Sequence, residues 1–101
     1  MKNDRELLEL AAKASGVDLQ YADDEGLLPY DSYTGVDWNP LTDDGDALLL
    51  AVKLELSLDL RHSRNEVRVF GLQRIDEGAQ DPYAATRRAI VRAAADIGNQ
   101  K

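Results

Sequence analysis

The stretch ELSLDLRHSRNEVRV, residues 55–69, decides the fold class, because its apolar residues recur at every second position. Leu56, Leu58 and Leu60 alternate with Ser57, Asp59 and Arg61, and after His62 to Asn65 the alternation resumes as Val67 and Val69 against Glu66 and Arg68. A period of two belongs to a strand with one buried and one wet face. Folding the run back at the four residues 62–65 sets Arg61 opposite Glu66 and Asp59 opposite Arg68. Opposite charges then meet on the wet face in the same register that aligns Leu58, Leu60, Val67 and Val69 on the apolar one. An antiparallel hairpin is expected here, and its apolar face calls for helices.

The helices are signalled on either side. Asn3 and Glu6 form a start resembling a capping box, Leu7, Leu10, Ala11 and Ala14 recur at helical spacing, and Gly16 with Val17 gives a stop. Glu9 and Lys13 stand at i,i+4 in the favourable order. A second helix is capped by Thr42 or Asp43, carries carboxylates in its first turn and runs to about Leu54. Its middle, ALLLAV, is apolar all round, so it is covered from more than one direction, by its own fold or by a second copy. A third helix opens with Asp81 as N-cap and Pro82 in its first turn and closes at Gly98. On its wheel Tyr83, Thr86, Ile90, Ala93, Ala94 and Ile97 share one arc, while Arg88 and Arg92 point away.

Between the first two helices, Leu19 to Ala22 and Leu27 to Tyr30 flank the turn Asp23-Asp24-Glu25-Gly26 and read as a short hairpin, with Pro29 confining its strand to an edge. Residues 31–41 have no period and read as an irregular crossing loop; residues 71–80 read as a loop or a fraying strand end that includes Ile75. The expectation is a single α+β domain over residues 1–101, ordered helix, short β-hairpin, helix, β-hairpin, helix. Its antiparallel sheet has three or four strands packed by helices.

Composition narrows the function classes. With 44 % hydrophobic and 31 % charged residues the chain is of globular type, and without cysteine it has no disulfide framework, thiolate metal site or cysteine nucleophile. The first ten residues lack an apolar signal core and the longest apolar run, Ala47 to Val52, is too short to span a bilayer, so a cytoplasmic address without membrane contact is expected. Net charge is −7, divided as −9 over residues 1–50 and +2 over residues 51–101. The later arginines sit among acids and form no basic stripe, which argues against direct nucleic-acid binding.

The densest clue lies between Lys13 and Lys53, where no Lys or Arg occurs. The nine acids there are Asp18, Asp23, Asp24, Glu25, Asp31, Asp37, Asp43, Asp44 and Asp46, interleaved with Tyr21, Tyr30, Tyr33 and Trp38. Such a block cannot neutralise itself locally. As a binding surface it would use Asp23, Asp24, Glu25, Tyr30, Tyr33, Asp37, Trp38, Asp43, Asp44 and Asp46, rings for contact area and carboxylates for steering a basic partner. The plainer reading makes Trp38 a core plug and the acids turn and cap residues. Leu49 and Leu50, if uncovered, would instead form a twofold dimer.

Other chemistry is weakly signalled. Asp43-Asp44-Gly45-Asp46 resembles a calcium loop only superficially, since no frame supplies alternating oxygens with a terminal bidentate Glu, so no metal and no cofactor are expected. His62 is the single histidine, in an expected turn beside Ser63 with no third group to orient it, so an enzymatic site near His62 is the minority reading.

The motif DPYAATRRAIVRAAADIG, together with WNPLTDDGDALLLAVKL ahead of a two-stranded segment, resembles small bacteriophage and prophage proteins of the phage ABA sandwich type. That resemblance covers roughly the last two thirds of the chain. It implies helices on both faces of a sheet in three layers, a bacterial host cytoplasm as the setting, and no assigned activity. Joined to the acidic block, it leads to an accessory protein that acts non-enzymatically, its acids engaging a basic groove on a host factor or defence complex. A structural homodimer and a small enzyme near His62 are the alternatives.

Overall fold

A computed structural model describes residues 2–61, 66–78 and 81–101. The elements in chain order are α1 (Asp4–Ser15), β1 (Leu19–Tyr21), β2 (Pro29–Asp31), β3 (Val36–Asp37), α2 (Asp44–Lys53), β4 (Ser57–Arg61), β5 (Glu66–Phe70), β6 (Arg74–Gly78) and α3 (Pro82–Asn99). The strands form two antiparallel three-stranded sheets, β1-β2-β3 and β4-β5-β6. The α+β class and the order of helices and hairpins are those the sequence implies. No helix among the described residues is long and apolar enough to cross a membrane.

Helix starts follow from their caps. The Glu6 N–H donates to Asn3 Oδ1 at 2.9 Å, Asp46 N–H to Asp43 Oδ2 at 2.8 Å, and Tyr83 N–H to Asp81 Oδ1 at 3.0 Å. At the end of α1, Gly16 takes the left-handed φ of 78° that a Cβ would disfavour, and the Val17 N–H closes on the Ala12 carbonyl at 3.0 Å. The expected Glu9–Lys13 pair is replaced. Arg5 Nε bonds Glu9 at 3.2 Å, and Lys13 reaches the Lys101 carbonyl at 2.8 Å, tying α1 to the end of α3.

The β4–β5 register matches the charge argument, with Asp59 opposite Arg68 and Arg61 opposite Glu66. The close ion pairs run along each strand, Arg61 to Asp59 at 3.0 Å and Arg68 to Glu66 at 3.2 Å, so the wet face carries an alternating four-charge cluster. The turn 62–65, with His62 and Ser63, lies outside the described residues.

Two strands arise where the sequence shows no period. β3 is only two residues long, too short for any periodicity, and forms because the turn Ser32–Gly35 returns the chain onto β2. It makes β2 the central strand of its sheet, which corrects the edge position inferred from Pro29. Proline is tolerated because it stands first in β2, and its carbonyl accepts from the Trp38 N–H at 3.1 Å. β6 pairs with β5 over its whole length, placing Ile75 opposite Val69, both buried.

The core is one cluster organised around α3, which touches α1, α2, β5 and β6. Its buried residues, Ala85, Ala89, Ile90, Val91, Ala93, Ala94, Ala95 and Gly98, are nearly all small, so neighbouring backbones come close. Tyr83, expected on the inward arc, is exposed at the start of the helix, ahead of the stretch that α1 and the sheet cover. α3 also continues through Gly98 to Asn99 rather than ending there. The glycine serves a crossing: a Cβ at Gly98 would overlap the backbone carbonyl of Leu10.

That contact gives a prediction of definite sign. In an exposed helix Gly→Ala stabilises by about 0.5–1 kcal/mol. Gly98→Ala is expected to destabilise instead, by about 3 kcal/mol or more, since the collision is with backbone that no rotamer can relieve. Urea unfolding with an unchanged or raised midpoint would contradict the close crossing.

Candidate functional site

The acidic block is divided by the sheet that carries it. In β1-β2-β3, Tyr21 pairs with Pro29 at one end and Leu19 with Asp31 at the other, while Tyr30 pairs with Asp37 and Asp31 with Val36. The turn 22–28 and the exit of β3 therefore share one end; the turn Ser32–Gly35, carrying Tyr33, lies at the opposite end. Tyr33 is 78 % exposed but stands apart from Asp23, Asp24 and Glu25.

Four of the nine carboxylates, Asp23, Asp31, Asp43 and Asp46, are held by backbone donors. Asp23 accepts from Leu27 N–H at 2.9 Å and Leu28 N–H at 2.8 Å, locking the long turn. Asp31 accepts from Tyr33 N–H at 3.0 Å, and the Ser32 hydroxyl bonds Asp18. Asp43 caps α2, and Asp46 reaches back to the Asn39 N–H at 2.9 Å. Each local bond follows from carboxylates placed in turns and a first helical turn. Asp24, Glu25 and Asp37 are exposed and accept no hydrogen bond from a described residue.

Charge compensation is a separate matter, and here the block stands out. Among the described residues one ion pair reaches it, Arg87 to Asp44 at 2.7 Å. The other late arginines go elsewhere: Arg88 to Asp4, Arg92 to Glu77, Arg74 to Asp76, Arg61 to Asp59 and Arg68 to Glu66. Arg5 stacks over the Tyr21 ring at 4.7 Å while bound to Glu9. The burial of Tyr21, and then Glu9, raise its phenol above the ordinary value, and its hydroxyl has no partner among the described residues.

Three of the carboxylates gather in one place. Asp37, Asp43 and Asp46 line a groove of about 530 Å³ together with Leu27, Leu28, Pro29, Val36, Asn39 and Thr42. Leu27, Leu28 and Val36 are all exposed there. Burial raises the Asp46 carboxyl above the ordinary carboxylate range and the Asn39 N–H opposes that, while the charges of Asp43 and Asp37 add to the rise. Asp23 moves the other way, drawn down first by the Leu27 N–H. Among the described residues no three acidic or histidine side chains are placed to hold a metal ion.

Two sequence expectations are corrected by this geometry. Trp38, read as part of a partner surface, is 9 % exposed and belongs to the core; its N–H is bound to Pro29, and its large ring gains more from burial than from contact with water. Leu49 and Leu50 separate: Leu49 is 69 % exposed, whereas Leu50 is 3 % exposed within the core and offers nothing to a second chain. Tyr30 is half-buried in the central strand. Leu27, Leu28 and Val36 are surface residues that the acidic pattern of the sequence does not mark. Their signal was the doublet Leu27-Leu28, because neighbours on a strand face opposite ways and a hairpin with one covered face cannot bury both.

Comparison with known protein families, with curated proteins and with solved structures finds no match to the chain.

The two displaced carboxyls predict opposite pH signatures. Asp46, raised in the folded state, favours the neutral form there, so its contribution is present in acid and lost as pH climbs from the ordinary carboxylate range through its raised value. Asp23, lowered, contributes above its unfolded value and loses that contribution as pH falls through its folded one. At neutral pH, Asp46→Asn is expected to raise the urea midpoint and Asp23→Asn to lower it, both differences fading in acid. Shifts of the same sign would contradict the assignment.

Proposed function

We propose that this chain is a non-enzymatic binding protein whose acidic groove grips a basic, apolar-tipped segment of a partner protein. The observation that carries the reading is the groove of Asp37, Asp43 and Asp46. None of the three has a cation within ion-pair distance among the described residues, and Leu27, Leu28 and Val36 stand exposed beside them. A lysine or arginine complements such a lining twice over, its stem lying on the leucines and its head among the carboxylates. The net charge of −7 adds long-range attraction for a cationic surface.

The likeness of the alanine-rich third helix to phage ABA sandwich proteins supplies the setting. The chain is then a phage or prophage accessory protein in the bacterial host cytoplasm, and its partner a host factor or defence complex with a basic surface, one that otherwise holds nucleic acid. Inhibition follows by occupying that surface. The rings contribute less than composition suggests, since Trp38 is interior and Tyr33 lies at the far end of its sheet.

A fluorescent amphipathic helical peptide of lysine and leucine serves as probe. Its affinity is expected to fall steeply with added salt, and Asp37→Lys to weaken it about tenfold with no loss of thermal stability. Asp37 is the informative position because Asp43 caps a helix and Asp44 holds Arg87. Binding indifferent to both salt and Asp37→Lys would refute the groove as the docking site.

A further inference from the structure

The two edges of the sheet β4-β5-β6 are treated differently. At the β6 edge, Glu77 stands opposite Val67, on the face turned to α3, and is paired with Arg92 of that helix. An inward charge at an edge blocks strand addition, because a new strand would have to cover it with an apolar face. At the β4 edge the corresponding inward positions are Leu58 and Leu60, opposite Val69 and Val67. They remain 38 % and 46 % exposed, although their β5 partners are buried. β4 pairs with β5 alone, and no other backbone hydrogen bond among the described residues reaches residues 57–61.

This open edge runs into an apolar groove of about 300 Å³ between β4, α2 and the start of α3, lined by Leu48, Leu58, Leu60 and Tyr83. Leu49 and Val52 extend the exposed apolar surface along α2. A soluble monomer rarely leaves so many large apolar side chains together.

We propose that a second copy of the chain covers this face, β4 pairing antiparallel with β4 across a twofold axis at Leu60 to join two sheets into one of six strands. The charges of β4 are self-complementary, which suits a second copy and favours this register over one centred on Asp59. The outward residues Asp59 and Arg61 lie two apart on β4, so pairing centred on Leu60 sets each Asp59 opposite the other chain's Arg61. Centring on Asp59 would oppose two like charges. The twofold also brings both α2 helices to one side of the joined sheet, each with Leu48 in the groove that Leu58 and Leu60 line. This interface is distinct from the acidic groove at β1-β2-β3, so the inference stands independently of the proposed function.

The absence of cysteine makes the test clean. In an antiparallel ladder centred on Leu60 the two Leu60 Cα atoms lie about 4.5–5.5 Å apart, within disulfide range, whereas the Leu58 pair is separated by about 14 Å. Light scattering of the unaltered chain from micromolar to millimolar concentration should show the mass doubling, and Leu60→Glu should weaken that association at least tenfold with an unchanged circular dichroism spectrum. On mild oxidation Leu60→Cys should give a linked dimer, while Leu58→Cys and Asp59→Cys should not. Added salt should leave the dimer intact while releasing the basic peptide from the other face. A monomer at every concentration, or linkage through position 58 or 59 and not 60, would overturn the proposal.

Discussion

The close crossing of α1 and α3, where Gly98 lies against the backbone of Leu10, is the constraint from which the rest of the arrangement follows. Small buried residues on both helices, Ala11 and Ala12 on α1 and Ala94 and Ala95 on α3, belong to the same core and allow that approach. Because the buried residues of α3 are nearly all small, it can be covered on several sides at once, by α1, by α2 and by β5 and β6. Lys13 bonded to the Lys101 carbonyl and Lys101 to the Ala14 carbonyl fasten the same junction at its end. A helix of larger side chains could not have served as this shared centre within a chain of 101 residues.

The helix also governs the charges. Its outward arginines are consumed where they emerge: Arg88 by α1, Arg92 by β6 and Arg87 by the start of α2. None continues to the small sheet. Asp23, Asp31, Asp43 and Asp46 obtain hydrogen bonds from local backbone, which fixes their geometry without cancelling their charge, while Asp24, Glu25 and Asp37 face solvent. This is how the same residues can be turn and cap formers and still leave a negative groove beside Leu27, Leu28 and Val36. Structural satisfaction and electrostatic compensation are different conditions: Asp43 and Asp46 meet the first, and among the described residues neither has a cation for the second.

What the sequence discloses is whatever is local. The caps at Asn3, Asp43 and Asp81, the stop at Gly16, and the register of β4 on β5 rest on residues a few positions apart, and each is found as the pattern implies. What it conceals depends on partners distant in the chain. β3 and β6 exist because β2 and β5 were available to pair, Trp38 is interior because the chain behind it is pinned to Pro29, and Gly98 reads as a stop until Leu10 is placed against it. The candidate groove was half legible: its acids stood out by composition, whereas its leucines became visible as surface only once the hairpin proved to have short strands and a long turn.

The crossing at Gly98 joins α1 and α3 in one cooperative unit and leaves the small sheet at its margin. Native-state hydrogen exchange tests that division directly. The amides of Ala11 and Ala12 should exchange with the same opening free energy as those from Ala89 to Ala95, and those of β1, β2 and β3 should open earlier. An α1 that exchanges far faster than α3, or a small sheet as protected as both helices, would contradict the crossing at Gly98 as the centre of the fold.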